Sequence, residues 1–163
     1  MTSLPQETVL QWLIEELSRK TYSFVEYITH ASPYIPQHLA ALWDLLLELR
    51  KEERAQADLL SRAIVEAGGI PTPMLLDESM ADLNYLRLDY LVKLLIDHKK
   101  QAVARLEERV SKLEGYPTLR LVLLEILETE KSHIEKLSAT LAECEQRREQ
   151  SEKSSGASDA VNG

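Results

Sequence analysis

Two helix-period stripes in this 163-residue chain ought to be wholly apolar, and each is interrupted by acid. One is Leu42, Leu46, Leu49, Glu53, Gln56, Leu60, and the other is Leu119, Leu123, Ile126, Glu130, His133, Leu137. Steps of three and four keep residues on one face of a helix. A Glu and a second polar residue three places on therefore sit among Leu and Ile. Buried carboxylates cost several kcal/mol unless a cation or hydrogen-bond partner compensates them. The pattern predicts long packed helices with a polar centre, and it asks for a cation.

The remaining helices follow from punctuation. Ser3 reads as an N-cap, with Pro5 and Glu7 in the first turn. The first helix runs to about Ala31 on the stripe Leu10, Leu13, Leu17, Lys20, Phe24, Tyr27, which turns Lys20 inward. Pro33 and Pro36 separate it from a second helix, Pro36 to Ala67, closed by Gly68-Gly69. Asp77 or Ser79 caps a third helix that runs to about Glu114 and has two apolar faces. One of these carries Leu86, Tyr90, Leu94, Asp97 and Gln101, and the other Leu91, Leu95, His98, Ala102 and Leu106. After Gly115-Tyr116-Pro117-Thr118 a fourth helix runs to about Arg148. The bundle is assigned to residues 1–149, and 150–163 reads as a disordered polar tail.

No period-two alternation is long enough to propose a sheet, so the fold class is an all-α four-helix bundle. Short connections make the first and second helices, and the third and fourth, antiparallel hairpins. The longer middle connection is compatible with a loop between neighbours or with a crossover along the bundle.

A net charge of −8 argues against nucleic acid as a partner. No apolar run reaches the ~18 residues of a membrane span. A lone cysteine, Cys144, and an N-terminus without a signal-peptide pattern place the chain in the cytoplasm by expectation.

The inward polar residues come from all four helices: Lys20, Glu53, Gln56, Asp97, Glu130 and His133. Residues at i and i+3 present both side chains to one point. Glu-x-x-His is how helical bundles build carboxylate metal sites.

Three segments carry a resemblance. Glu-Tyr-Ile-Thr-His-Ala at 26–31, Glu-Glu-Arg-Ala-Gln-Ala-Asp at 52–58 and Glu-Thr-Glu-Lys-Ser-His-Ile at 128–134 resemble the ferritin-like superfamily, bacterioferritin most closely. The resemblance implies a crossover between the second and third helices and a di-iron site at the centre. Glu53, Glu130 and His133 match ligands of that site, and Asp97 stands where the third helix supplies Glu. Lys20 and Gln56 replace a Glu and a His, both at the same iron position.

The reading is therefore an altered site of Glu53, Asp97, Glu130 and His133 holding one iron, manganese or zinc ion, or none. Lys20, Gln56 and Tyr27 lie around it, with the Lys20 ammonium standing in for one metal. By resemblance, an active site of this kind is a ferroxidase. A metal-free bundle used for dimerisation or partner binding, and an oxygen-activating oxidase, are the alternatives. By the resemblance to bacterioferritin, Arg54 stands where that protein has its haem methionine, so no haem is expected. A homodimer or larger homo-oligomer is expected, with Trp12 and Trp43 off the main stripes as interface candidates.

Overall fold

The computed structural model describes residues 4–31, 33–75 and 86–161, with side chains through 156. The expected caps Ser3, Asp77 and Ser79 lie outside these residues. The described residues form five α-helices: α1 Gln6–Thr21, α2 Phe24–Ala31, α3 Ala40–Glu66, α4 Leu88–Ser111 and α5 Pro117–Val161. A single 3₁₀ turn, Gln37–Leu39, leads into α3. No strand occurs among the described residues.

The first expected helix is broken in two. Ser18 and Thr21 turn their hydroxyls back onto the carbonyls of Ile14 and Leu17, a local bond that bends helices. Tyr22 then leaves helical geometry (φ −113°, ψ 50°). The Ser23 hydroxyl accepts the Glu26 backbone N–H at 3.1 Å and starts α2 as an N-cap. The Arg54 guanidinium on α3 pairs with Glu26 and ties the short α2 down.

Two apolar clusters give the topology. One gathers Phe24 and Ile28 of α2, Leu42–Leu49 of α3, Leu88–Ile96 of α4 and Leu137–Cys144 of α5. The other gathers Val9–Leu17 of α1, Leu60 and Ile64 of α3, Leu106 and Val110 of α4 and Leu123–Leu127 of α5. Following each helix from one cluster to the other gives its direction. α1/α2 and α5 run one way, and α3 and α4 run the other. The α3–α4 connection is therefore the crossover, and the bundle has the ferritin-like arrangement. Neighbours around the axis are α1, α3, α5 and α4.

α3 ends on a Schellman cap. The Gly69 N–H bonds the Ile64 carbonyl, the Gly68 N–H bonds the Val65 carbonyl, and Gly68 takes φ +87°. α5 begins with Pro117 at its first position. The Tyr116 hydroxyl before it donates to the Leu4 carbonyl at 2.6 Å, fastening the α4–α5 turn to the start of the chain.

α5 also departs from expectation at its far end. It remains helical through Val161 where an irregular tail was expected from residue 150. Nothing breaks the pattern before Gly156, and Arg148 and Glu152 pair along the extension. Its side chains from Glu145 to Gly156 are exposed.

Open space surrounds the Gly68 Cα, so its substitution tests the backbone alone. Gly68→Ala is expected to lower stability in urea unfolding by about 1 kcal/mol, the cost of forcing a side chain into the left-handed region.

Candidate metal centre replaced by lysine

Between the two apolar clusters lies one polar layer, to which α1 and α4 each contribute one residue and α3 and α5 two. Lys20 follows Leu17 on α1. Glu53 and Gln56 fall between Leu49 and Leu60 on α3. Lys99 falls between Ile96 and Leu106 on α4, and Glu130 and His133 fall between Leu127 and Leu137 on α5. All six are buried, and His133 has no exposed surface.

Asp97 is not among them. It is exposed, and Lys99 takes the interior position instead. The two are two residues apart, about 200° around a helix, so only one can face inward. The face that wins is set by Leu88, Leu91, Leu95 and Leu106, the side toward which Lys99 also points. The assignment of Asp97 as a ligand is thereby corrected, and Tyr90, on the same face, is half exposed.

The Lys99 ammonium sits among three carboxylate oxygens: Glu53 Oε1 at 2.9 Å, Glu130 Oε2 at 3.1 Å and Glu130 Oε1 at 3.2 Å. Lys20 donates to Glu130 Oε1 from the other side. Two glutamates thus face two lysines. Burial opposes the charge on Glu130, but Lys20 and Lys99 outweigh it and hold its carboxyl down at about 2. Burial likewise opposes the charge on Lys99, and Glu53 and Glu130 outweigh that, so its ammonium is held above the ordinary lysine range.

His133 is pushed the other way, by burial first and then by the charge on Lys99. It is therefore neutral near pH 7. One ring nitrogen, Nε2, lies 2.6 Å from Glu52 Oε2. As a neutral ring donating to that carboxylate, it leaves Nδ1 as a buried acceptor with no partner in the protein. Glu53 Oε2 and both ends of the Gln56 amide also lack protein partners. Glu53, Glu130 and His133 each offer a ligand atom, the three lying within 4.8 Å of one another.

A second buried charge cluster lies one turn from Lys20. Glu16 accepts Arg105 Nε at 2.8 Å and Arg109 at 2.9 Å, which fastens α1 to α4. Arg109 also covers the ring of Trp12, 5.4 Å from its centroid. Trp12 is thus partly used inside the chain. Trp43 is half-buried against the first apolar cluster. Tyr27 is half-buried on the wall of a cavity beside the centre.

A family model for the ferritin-like domain matches residues 10–147. The chain belongs to the ferritin-like family. Two solved structures share the fold. One is a dodecameric thioferritin, the bacterioferritin-related protein of Bacteroides fragilis, 20% identical with a TM-score of 0.73, covering 91% of this chain and 92% of that one. The other is a ferritin-like di-iron-carboxylate protein of Bacillus anthracis str. Ames, 18% identical with a TM-score of 0.68, covering 86% and 99%. No curated protein matches the sequence significantly.

The residues present do not fit the pair of irons that this family implies. Lys99 stands between Glu53 and Glu130, two of the carboxylates that would hold such a pair. Lys20 and Gln56 occupy two other ligand positions, and Asp97 is turned away. Lys99 and Glu52 are the site residues that the sequence reading omitted. Steps of four from Leu91 through Leu95 reach Lys99 directly, so periodicity alone points to it.

Removing one member of a buried ion network leaves its partner uncompensated. Lys99→Met is expected to destabilise the bundle by about 3–5 kcal/mol in denaturant unfolding. Adding Glu53→Gln to it should recover part of the loss, as a double-mutant cycle measures.

The pH dependence has a definite sign. Glu130 titrates at about 2 in the folded protein and near 4.5 as a free side chain. Its contribution is complete above pH ~4.5 and is lost as pH falls toward 2, an effect of about 3 kcal/mol. Lowered His133 acts in the same direction below its ordinary value. Raised Lys99 acts oppositely, and its contribution is lost only as pH rises past the ordinary lysine range. Stability measured against pH should fall on the acid side between about pH 5 and 2, and Glu130→Gln should flatten that limb.

Proposed function

We propose that this protein is a ferritin-like bundle that carries a built-in ammonium pair where the Bacillus anthracis relative is a di-iron-carboxylate protein. On this reading it is a metal-independent module for binding and assembly, not a ferroxidase. The observation behind the proposal is Lys99 Nζ, within 3.2 Å of three oxygens of Glu53 and Glu130.

Two electrostatic arguments support it. Among the buried groups two lysines cancel two glutamates, with His133 neutral, so the net negative charge there is only that of the half-exposed Glu52, too little to match a divalent ion. A divalent ion held about 4 Å from the Lys99 ammonium would also be repelled. Two unit charges at that distance interact by about 4 kcal/mol at an effective dielectric of 20, and the double charge makes it roughly 8.

A second reading keeps one metal. Glu53, Glu130 and His133 offer ligand atoms within 4.8 Å of one another, and His133 Nδ1 and Glu53 Oε2 have no protein partner. Imidazole with two carboxylates suits Fe²⁺, Mn²⁺ or Zn²⁺. Binding would require the Lys99 ammonium to move out of the space between the carboxylates.

Metal analysis by mass spectrometry decides between them, on protein incubated anaerobically with each of the three ions and desalted. The expected result is well below one ion per chain, with ferrous oxidation no faster than in buffer. One ion per chain that disappears in His133→Ala would establish the second reading, and two per chain would overturn both. Lys20→Glu with Gln56→His should still bind no pair of metals, because Lys99 remains. Adding Lys99→Glu should raise the count.

Homo-oligomerisation belongs to the same proposal. The dodecamer formed by the Bacteroides relative supports it, and light scattering on the full chain measures it.

A further inference from the structure

A cavity of about 440 Å³ opens between the α1–α2 break and α4. That is within the range of sites for small organic molecules. The chain has one Phe, six Tyr and two Trp, and three of these, Tyr22, Phe24 and Tyr27, line this one cavity. The buried core is aliphatic apart from Phe24 and Cys144, so the aromatic side chains gather where there is open space beside them. α4 supplies the facing wall with Leu95, His98, Ala102 and Leu106.

The Phe24 and His98 rings are 5.3 Å apart and tilted by 36°, close enough for one flat molecule to touch both. Ala102 lies one turn beyond His98 on the same face of α4 and adds only a methyl to the wall. A ring therefore has room over Ala102, beside that pair. Tyr22, half exposed on the same lining, is a side chain that an occupant would cover.

His98 specifies the polar edge of the occupant. It is half-buried, and its ring nitrogens have no hydrogen-bond or ion-pair partner among the described residues and are not sealed from solvent. An uncharged imidazole presents one donor and one acceptor. A lactam or azole edge holds a donor and an acceptor side by side, and so meets that ring in either tautomer.

The carboxylates of the lining are already answered. Glu16 accepts from Arg105 and Arg109, and Glu26 from Arg54. Glu53 accepts from Lys99, and Glu130 from Lys20 and Lys99. A charged ligand would give up its hydration for groups that are compensated without it, which favours an uncharged one.

We propose that this cavity binds a planar, uncharged nitrogen heterocycle of bicyclic size. Its face packs on Phe24 over Ala102, and its polar edge bonds the His98 imidazole. The site rests on the lysine-bridged reading only in that ammoniums answer Glu53 and Glu130, and metal analysis tests that reading separately.

The test is isothermal titration of the full chain at pH 7 with three matched probes: 2-quinolone, its ring-saturated counterpart decahydroquinolin-2-one, and quinoline-2-carboxylate. The expected result is saturable binding of 2-quinolone, at least tenfold tighter than either other probe, because the wall is aromatic and the lining charge is spent. His98→Leu should weaken it at least tenfold. Ala102→Phe should abolish it, while the surface change Ala104→Phe should leave it intact. Should the cavity variants not fold, amide shifts of Phe24, His98 and Ala102 on adding 2-quinolone to the unaltered protein replace them. No saturable binding, equal affinity for the saturated probe, tighter binding of the carboxylate, unchanged affinity in His98→Leu, or shifts confined elsewhere would overturn the proposal.

Discussion

The packing of this bundle depends on the Lys99 ammonium between Glu53 and Glu130. Four helices converge on a layer where Leu and Ile give way to charge, and a lone carboxylate there would keep the helices apart or take up a proton. Lys99 reaches from α4 to carboxylates on both α3 and α5, and Lys20 reaches Glu130 from α1. The two ammoniums therefore bind diagonal as well as adjacent helices. Each is buried, so the attraction is weakly screened, and each carries a desolvation cost that only close partners offset. The apolar clusters on either side hold those partners in place by their own packing.

A metal and an ammonium solve the same electrostatic problem with different consequences. A divalent ion couples stability to the concentration of free metal, because whatever binds the folded state alone stabilises it by mass action. A lysine removes that coupling. The cation is covalently attached, its effective concentration is fixed, and it is lost only by titration at high pH. What it surrenders is chemistry, since an ammonium has no open coordination position and no accessible second oxidation state. On the lysine-bridged reading proposed above, the arrangement favours keeping the fold over turning over iron.

Much of this architecture was legible in the sequence, and the reason is periodicity. Interior positions on α3 and α5 are flanked at helical spacing by Leu46, Leu49 and Leu60 and by Leu123, Ile126 and Leu137, so Glu53, Gln56, Glu130 and His133 face inward with them. Lys20 was legible for the same reason. α4 was harder, because apolar residues on two faces leave its rotation undetermined by composition. Resemblance drew attention to the carboxylate at Asp97, while three-dimensional packing chose the face that ends in Lys99. The break at Tyr22 was hidden differently. It arises from hydroxyls of Ser18, Thr21 and Ser23 competing with backbone bonds, and such residues are equally common within uninterrupted helices.

That break links the centre to the cavity. An unbroken first helix would carry Phe24 and Tyr27 onward along the direction of Lys20. With the chain leaving helical geometry at Tyr22, α2 starts again from Ser23, and Phe24 meets His98 on α4. Space opens between the break and α4, and the polar layer forms its floor. Arg54 holds α2 in this position through Glu26, a pair that spans α2 and α3. By the resemblance, Arg54 stands where bacterioferritin has a haem methionine, whereas here it fastens α2 to α3. Lys20, Arg54 and Lys99 thus act together, because two put fixed positive charge at the centre and the third secures the wall beside it.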